Sequence, residues 1–128
     1  MIRVHVFCEG QTEETFVNEV LKDHFSTIEI WLTPILIRTS KQGQGGAVSY
    51  GKIKRQIENK CKEDQSAWIT TLLDFYGLPS DFPGMKTSHN NSLEKVQTIL
   101  SEFKRDIDQL NFIPNLVLHE FEGLLYGI

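Results

Sequence analysis

The chain has 128 residues, of which 40% are hydrophobic and 23% are charged, a balance typical of one folded domain with its own core. No apolar run approaches the roughly 20 residues that a membrane-spanning helix requires, and the amino terminus lacks the features of a secretory signal. Two cysteines, Cys8 and Cys61, form neither a disulfide framework nor a metal-ligand spacing. The sequence therefore predicts a single cytoplasmic domain with reduced thiols.

The formal net charge of −4 excludes a generally basic nucleic-acid binder, but the basic residues are concentrated in one segment. Residues 38–62 contain one acidic residue, Glu58, and seven basic residues: Arg38, Lys41, Lys52, Lys54, Arg55, Lys60 and Lys62. The rest of the chain therefore carries about −10. The segment is compatible with contacts to phosphate groups and also with a solvated helix face.

The first half of the chain predicts two strands and two helices. Residues 2–8, IRVHVFC, are rich in β-branched and aromatic residues and predict a strand. A helix is expected from about Thr12, which can cap it and is followed by acids that suit the positive end of a helix dipole. Residues 28–38 form a second extended run, in which Pro34 favours an edge strand or a bulge. A second helix is expected from residue 48 or 49 to about residue 62.

A glycine-rich stretch, KQGQGGA, separates the second strand from the second helix at residues 41–47. It lacks the GK[ST] ending of a P-loop and does not match the GxGxxG spacing. We interpret it as a connector, with a phosphate-contacting loop as the alternative.

The second half continues the alternation of strands and helices. Residues 67–73, AWITTLL, predict a buried strand that runs into Asp74, and residues 75–91 form a long loop. A third helix is indicated by the spacing of Leu93, Val96, Ile99, Leu100, Phe103, Ile107 and Leu110. Residues 112–118 predict a fourth strand, with Pro114 near its start, and residues 119–128 resemble the opening of another helix. This order predicts an α/β fold with helices flanking a mostly parallel four-stranded sheet.

Acidic side chains follow three of the predicted strands. Glu9 follows the first strand, Asp74 follows the third, and the sequence His119-Glu120-Phe121-Glu122 follows the fourth. Because the carboxyl ends of parallel strands share one edge, we expect these side chains to converge. Clustered carboxylates suit Mg²⁺ or Mn²⁺ better than zinc, and such an ion supports phosphoryl transfer.

Each of these residues also has a simpler explanation. Glu9 could be a surface acid near a helix start, and Asp74 could cap the turn that follows it. His119 and Glu120 could be ordinary helix-start residues, and HEFE is not the HExxH motif of zinc proteases. The joint placement of acids after three strands is what favours a functional site.

Three blocks of sequence, CEGQTEETFV, LLDFYGLP and LHEFEGLLY, resemble a TOPRIM-like family known as domain of unknown function 4276. The TOPRIM fold is shared by topoisomerases, DnaG-type primases and overcoming-lysogenization-defect nucleases. The blocks lie near the start, the middle and the end of the chain, so the resemblance spans nearly all of it. It implies a three-layer TOPRIM-like fold over residues 1–128.

The resemblance also implies residue roles. Glu9 matches the TOPRIM glutamate, a general acid/base or metal ligand, and Asp74 matches the first aspartate of an Asp-x-Asp pair that ligates Mg²⁺. The third position of this Asp-x-Asp motif is occupied by Tyr76, whose phenol is a poor Mg²⁺ ligand at neutral pH. The missing oxygen is expected from Glu120, Glu122 or Asp81. Other residues are expected to support the site or contact substrate: Gly10, Glu13, Tyr76, His119, Lys52, Lys54 and Arg55.

The leading hypothesis is a Mg²⁺- or Mn²⁺-dependent phosphoryl-transfer enzyme, a nuclease acting on DNA or RNA. The resemblance adds a prokaryotic defence setting and an ATPase partner. The alternative is a catalytically degenerate TOPRIM-like module that binds a partner ATPase or nucleic acid, and a small-molecule phosphatase or nucleotide enzyme ranks last because no nucleotide loop is present. Members of the family commonly continue past the third block, so the chain is expected to be truncated, with a homodimer or a partner covering exposed apolar surface.

Overall fold

The structure is a computed structural model that describes residues 1–38, 49–87 and 91–118. Its strands are β1 Ile2–Cys8, β2 Ile30–Leu36, β3 Trp68–Asp74, β4 Phe112–Ile113 and β5 Leu116–Val117. Its helices are α1 Gln11–Phe16, α2 Lys22–Ser26, α3 Tyr50–Glu63 and α4 Ser92–Asp106. A π-helical turn, Val17–Leu21, joins α1 to α2, and a 3₁₀ turn, Phe75–Gly77, follows β3. The predicted glycine-rich connector and the predicted helix over residues 119–128 lie outside these ranges.

The sheet is parallel at every strand pair, and its order is β2-β1-β3-β4, with β5 also paired to β3. The α/β class and the mostly parallel sheet are therefore confirmed. β2 lies at the edge of the sheet, as Pro34 predicts, because proline cannot donate to a neighbouring strand on both sides. All of the strands end at one edge, which we call the carboxyl edge.

The prediction of one continuous strand over residues 112–118 is wrong, because two short strands occupy this range. The sheet therefore has five strands rather than four. Pro114 and Asn115 separate β4 from β5. The Thr71 hydroxyl replaces the missing ladder bonds: Oγ1 donates to the Asn115 carbonyl at 2.6 Å and accepts from the Asn115 N–H at 3.0 Å. Both short strands can therefore remain paired with β3 on either side of the interruption.

Helices cover both faces of the sheet, which gives three layers. One core contains Phe7 of β1 and Leu73 of β3 and packs against the buried faces of α3 and α4. The other core lies on the opposite face and contains Val6 and Cys8 of β1, packed against the helical segment 11–26. We refer to these as the α3/α4 face and the α1/α2 face.

The helix ends correct three details of the sequence prediction. The first helix is capped by the extended backbone of Gly10, not by Thr12, and no side chain caps it. The third predicted helix, α4, begins where Asn91 Oδ1 accepts the Glu94 N–H at 2.8 Å, and it ends before Ile107. Ile107 is fully buried beyond the helix, whereas Leu110 is 97% exposed and contributes nothing to the core. No helix in the described ranges is long and apolar enough to cross a membrane.

Candidate functional site at the carboxyl edge

Two acidic residues reach the carboxyl edge from neighbouring strands. β1 and β3 are adjacent and parallel, with Cys8 of β1 paired to Leu72 of β3. Glu9 directly follows β1, and Asp74 is the last residue of β3. The convergence that the sequence predicts for this pair is therefore present in the fold.

A hydrogen bond joins the two positions. Glu9 Oε1 accepts the backbone N–H of Asp74 at 3.4 Å. This bond is long, since typical N–H···O bonds lie between about 2.7 and 3.2 Å. It places the Glu9 carboxylate beside the end of β3.

Gly77 is a part of the site that sequence reasoning missed. The turn Phe75–Gly77 folds back toward β1 and brings Gly77 against the Glu9 side chain. A Cβ added at Gly77 would lie 2.9 Å from Glu9 Oε2, closer than real Cβ contacts. The signal in the sequence was a glycine three residues after Asp74, a spacing that is typical of a turn. Its lack of a side chain makes room for the glutamate.

The electrostatic environment of Glu9 disfavours its charged form. The residue as a whole is exposed. Its pKa is nevertheless raised, and the largest cause is that neighbouring atoms keep part of the water away from its carboxyl group. The Asp74 N–H acts in the opposite direction, while the negative charges of Glu13 and Asp74 raise the pKa further. Neighbouring Cys8 is fully buried, and burial raises the pKa of its thiol to about 12, so it remains neutral.

The side chain of Asp74 makes the turn contact that its simpler explanation predicts. Asp74 Oδ1 accepts the Tyr76 N–H at 3.1 Å and so caps the turn Phe75–Gly77. Tyr76 is 62% exposed, and its ring meets that of Phe75 edge to face, with centroids 4.9 Å apart. A carboxylate can cap a turn through one oxygen while the other remains available to a ligand.

Gly10 and Glu13 form the helix side of the site. Gly10 has an extended backbone, with φ −153° and ψ −176°, and its carbonyl accepts the Glu14 N–H at 3.1 Å. A Cβ at Gly10 would lie 3.3 Å from Glu13 Oε1. Glu13 lies in the first turn of α1, where the helix dipole favours a negative charge.

The basic residues of α3 are divided between its first turns and its last turn. Its first turns carry Lys52, Lys54 and Arg55. Lys60 and Lys62 lie in its last turn, at the other end.

The basic side chains also differ in their partners. Lys54 forms an ion pair with Asp106, with Nζ 3.1 Å from Oδ2. The exposed side chains of Lys52 and Arg55 form no ion pair within residues 49–87 and the other described ranges. Arg38 is held to α3 through Gln56, which accepts its N–H at 2.8 Å and donates to its carbonyl at 3.1 Å. Lys52 and Arg55 are therefore the better-placed candidates for an external anion.

Of the other residues proposed as metal ligands, only Asp81 lies within the described part of the chain. His119, Glu120 and Glu122 lie outside the described residues. Asp81 is used elsewhere, because its carboxylate accepts the first N–H of α3, at Tyr50, at 3.1 and 3.3 Å. Within the described ranges, no group of three or more His, Cys, Asp or Glu side chains could hold a metal ion. Two adjacent carboxylates nevertheless fit Mg²⁺, which takes one or two from the protein and keeps waters for the rest.

Comparison with known proteins assigns the family. A family model described as Domain of unknown function (DUF4276) matches residues 8–127. The chain belongs to the DUF4276 family. The match includes Glu9, Asp74 and the turn Phe75–Gly77, so the carboxyl edge belongs to the DUF4276 domain. Searches of the curated proteins and of the solved structures found no match.

Proposed function

We propose that this DUF4276 domain is a Mg²⁺- or Mn²⁺-dependent phosphoryl-transfer enzyme, a nuclease acting on DNA or RNA. The observation that carries the proposal is the contact between Glu9 and the end of β3, where Glu9 Oε1 accepts the Asp74 N–H at 3.4 Å. Acids from distant parts of the sequence meet at the edge where open parallel sheets bind ligands. The resemblance to TOPRIM enzymes supports the same activity, and it alone supports a prokaryotic defence setting with an ATPase partner.

In this proposal Glu9 moves a proton. Its raised pKa brings the carboxyl closer to neutral pH, where a general acid or base is most effective. Gly77 and the Asp74 N–H hold the carboxylate in place, so that a water and a phosphodiester can be oriented against it. A bound divalent cation would supply charge neutralisation and polarisation of the phosphate.

Asp74 would hold the cation, joined by Glu120 or Glu122 from beyond the described residues. Glu9 would be a ligand only as an alternative to its role as a proton-transfer group, because a cation at its carboxylate would offset the negative charges of Glu13 and Asp74 that raise its pKa. Lys52 and Arg55 would contact the phosphate backbone, since both are exposed and neither forms an ion pair within the described residues. Arg38, Lys54 and His119 would have supporting roles.

The test is a cleavage assay with supercoiled plasmid, single-stranded DNA and RNA, in Mg²⁺, Mn²⁺ or EDTA. We expect Glu9→Gln and Asp74→Asn to reduce the rate by about 100-fold or more, the usual contribution of a proton-transfer group. Glu19→Gln and Asp108→Asn are matched controls, because both carboxylates are exposed and lie outside the site. Cleavage that survives both site variants, or that persists in EDTA, would refute the proposal.

A second candidate function is a catalytically degenerate module that binds an ATPase or nucleic acid, alone or as a homodimer. Two observations favour it: Asp74 already caps the turn Phe75–Gly77, and the exposed Tyr76 occupies the position where a second aspartate would act. The discriminating measurement is Mn²⁺ binding by electron paramagnetic resonance. Binding that is lost in Glu9→Gln and Asp74→Asn favours the enzyme, whereas no binding in the unmodified protein, together with retained nucleic-acid affinity, favours the module.

A further inference from the structure

The aromatic ring of Tyr76 lies within the candidate site. Its backbone N–H is accepted by Asp74 Oδ1 at 3.1 Å, and the next residue, Gly77, lies against the carboxylate of Glu9. Tyr76 is nevertheless 62% exposed. A large ring is therefore placed beside both candidate acids and remains accessible to a ligand that binds there.

The ring is supported from one side only. Phe75 packs against the core of the α3/α4 face, and its ring meets that of Tyr76 at an angle of 76°, with centroids 4.9 Å apart. An edge-to-face contact of this kind covers at most one face of the tyrosine ring. The Asp74 side chain caps the turn Phe75–Gly77 and so fixes the backbone that carries the ring. One flat face of Tyr76 is thus available on a supported turn.

Tyr50 illustrates a tyrosine that serves packing. It is buried, its ring meets those of Phe82 and Phe103, and its hydroxyl donates to Asp106 Oδ2. The hydroxyl of Tyr76, in contrast, has no hydrogen-bond partner among the described residues, and neither hydrophobic core includes its ring. Packing therefore does not explain the aromatic side chain at position 76.

The other exposed large aromatic side chains in the described ranges lie near the starts of strands. Trp31, 45% exposed, is the second residue of β2, and Trp68, 42% exposed, is the first residue of β3. Tyr76 instead follows the end of β3. Within the described part of the chain, it is therefore the exposed aromatic ring that a ligand at the carboxyl edge would meet.

We propose that Tyr76 stacks on an unpaired base of the substrate, so that the site takes single-stranded nucleic acid in preference to intact duplex. This inference rests on the proposed function. Inside a duplex, neighbouring base pairs cover both faces of each base, and a ring on the protein surface reaches only bases that are unpaired, flipped out or terminal. Stacking requires no particular sequence, because every base has a flat π-face. Single-stranded DNA and RNA share this chemistry.

Stacking also suits the charges of the site. Glu9 and Asp74 repel a phosphate group unless a cation neutralises them, whereas their charge does not oppose contact between a base and an uncharged ring. Tyr76 would therefore contribute affinity that persists without a divalent cation. A base on Tyr76 would also bring its own sugar and phosphates beside the two acids, which is where the proposed reaction takes place.

The test is binding in EDTA, which separates affinity from metal-dependent cleavage. Fluorescence anisotropy compares a labelled single-stranded DNA, the same sequence as RNA, and the DNA duplex. We expect both single strands to bind more tightly than the duplex. Tyr76→Leu should weaken binding of the single strands by roughly 5- to 150-fold, the effect of losing one base–aromatic stack. Tyr76→Phe keeps the ring and should retain the affinity, and Trp31→Leu, at an exposed aromatic residue outside the site, should change nothing.

Photochemical crosslinking identifies the contact in the unmodified protein. Single strands that contain 5-iodouracil are irradiated in the complex, and mass spectrometry locates the crosslinked residue. We expect the crosslink at Tyr76, and none there with the same sequence in a duplex. This measurement needs no variant, so it decides the question even where Tyr76→Leu does not fold. A crosslink at Trp31 or Trp68 in place of Tyr76 would contradict the proposal.

Three binding results would overturn the stacking role: no binding of any of the three nucleic acids, equal affinity for single strands and duplex, or full single-strand affinity in Tyr76→Leu. Failure of the proposed function gives a different result. Binding that depends on Tyr76, without cleavage in Mg²⁺ or Mn²⁺, would refute the enzyme and support the stacking role. Cleavage that depends on Glu9 and Asp74 but is unaffected by Tyr76→Leu would support the enzyme and refute the stacking role.

Discussion

Acidic side chains at the two ends of the parallel sheet have opposite electrostatic environments. At the other end of the sheet, where the strands begin and which we call the amino edge, Asp64 receives two hydrogen bonds from Arg3, at 2.7 and 2.8 Å, and one from His5 Nε2 at 2.8 Å. These partners, Arg3 first, hold the pKa of Asp64 well below its usual range. At the carboxyl edge, Glu9 has a raised pKa, to which the charges of the nearby acids Glu13 and Asp74 contribute.

The contrast separates a structural acid from a candidate functional one. Asp64 ends α3 and is joined to β1 through its ion pair with Arg3 and its hydrogen bond with His5, so its charge is neutralised and serves to connect two elements. Glu9 has no cationic partner within the described residues, and the fold keeps its carboxyl in an unfavourable environment. Groups perturbed in this second way are concentrated at functional sites. Sequence composition alone would have treated the two acids alike.

The largest effect on stability is expected from the amino edge, at Asn111. Its Nδ2 donates to the carbonyls of Cys61, Asp64 and Ala67 at 3.1, 3.3 and 3.1 Å, which closes the loop between α3 and β3. We expect Asn111→Ala to lower the free energy of unfolding by about 1–3 kcal/mol, because partly buried carbonyls lose their partner. Urea denaturation measures this. Asn59→Ala, on the exposed surface of α3, is the control and should not be destabilising.

Acidification should lower the stability of the protein through the protonation of Asp64 at the amino edge. Because its folded pKa lies below its ordinary value of 3.8, its contribution is present above that pH and is lost as the pH falls toward the folded pKa. We expect Asp64→Asn to lower the urea midpoint at pH 7 and to flatten the loss of stability on acidification. Asp108→Asn should leave both unchanged, since Asp108 is exposed. An equal acid response in Asp64→Asn and the unmodified protein would contradict this assignment.

At the carboxyl edge, the dependence of stability on pH is expected to have the opposite sign. Because the folded pKa of Glu9 lies above its ordinary value of 4.5, the folded state binds the proton more tightly, and stability is lost as the pH rises from that value. Glu9→Gln should therefore be slightly more stable than the unmodified protein at pH 7 while losing activity. Paired urea curves at acidic and neutral pH measure the difference, with Glu19→Gln as the control. A destabilised Glu9→Gln would place Glu9 among the structural acids.

Much of this fold could be predicted from the sequence, because strands of alternating or continuous apolar residues and amphipathic helices carry strong periodic signals. The strand over residues 2–8 is one example, and the edge position of β2 follows from Pro34. The division of the last strand could not be predicted, because it depends on the Thr71 hydroxyl, 44 residues away, bonding to the Asn115 backbone. Local patterns do not report such distant bonds.

The candidate site was predictable in part for the same reason. Parallel topology brings strand ends together, so the meeting of Glu9 with Asp74 followed from the order of elements. The capping role of Asp74 was foreseen as an alternative, and the use of Asp81 at the start of α3 was not. The role of Gly77 was not predicted, because its close approach to Glu9, 68 positions earlier, produces no pattern in the local sequence.

The smallest change in stability with a clear functional consequence is expected at Gly77. Its backbone does not require a glycine, because its φ is not in the left-handed region, so Gly77→Ala should fold. The new Cβ would lie 2.9 Å from Glu9 Oε2, and the flexible end of Glu9 would have to move. We expect activity to fall while the urea midpoint changes little. Gly51→Ala in α3 is the matched control, because its Cβ would meet nothing within 4 Å.

In a helix interior, alanine is favoured over glycine by about 1 kcal/mol. Gly51 lies in the first turn of α3, so Gly51→Ala should raise stability by less than this and leave activity unchanged. The pair therefore separates two effects of the same chemical change: in α3 it acts on the backbone alone, and at Gly77 it also displaces the Glu9 carboxylate. The displacement has a readout besides cleavage, because a moved Glu9 should lose the raised pKa and with it the stability decrease above pH 4.5. Gly77→Ala with unchanged activity and an unchanged pH profile would show that the position of Glu9 over β3 has no functional role, and the contrast between the two edges would then be structural only.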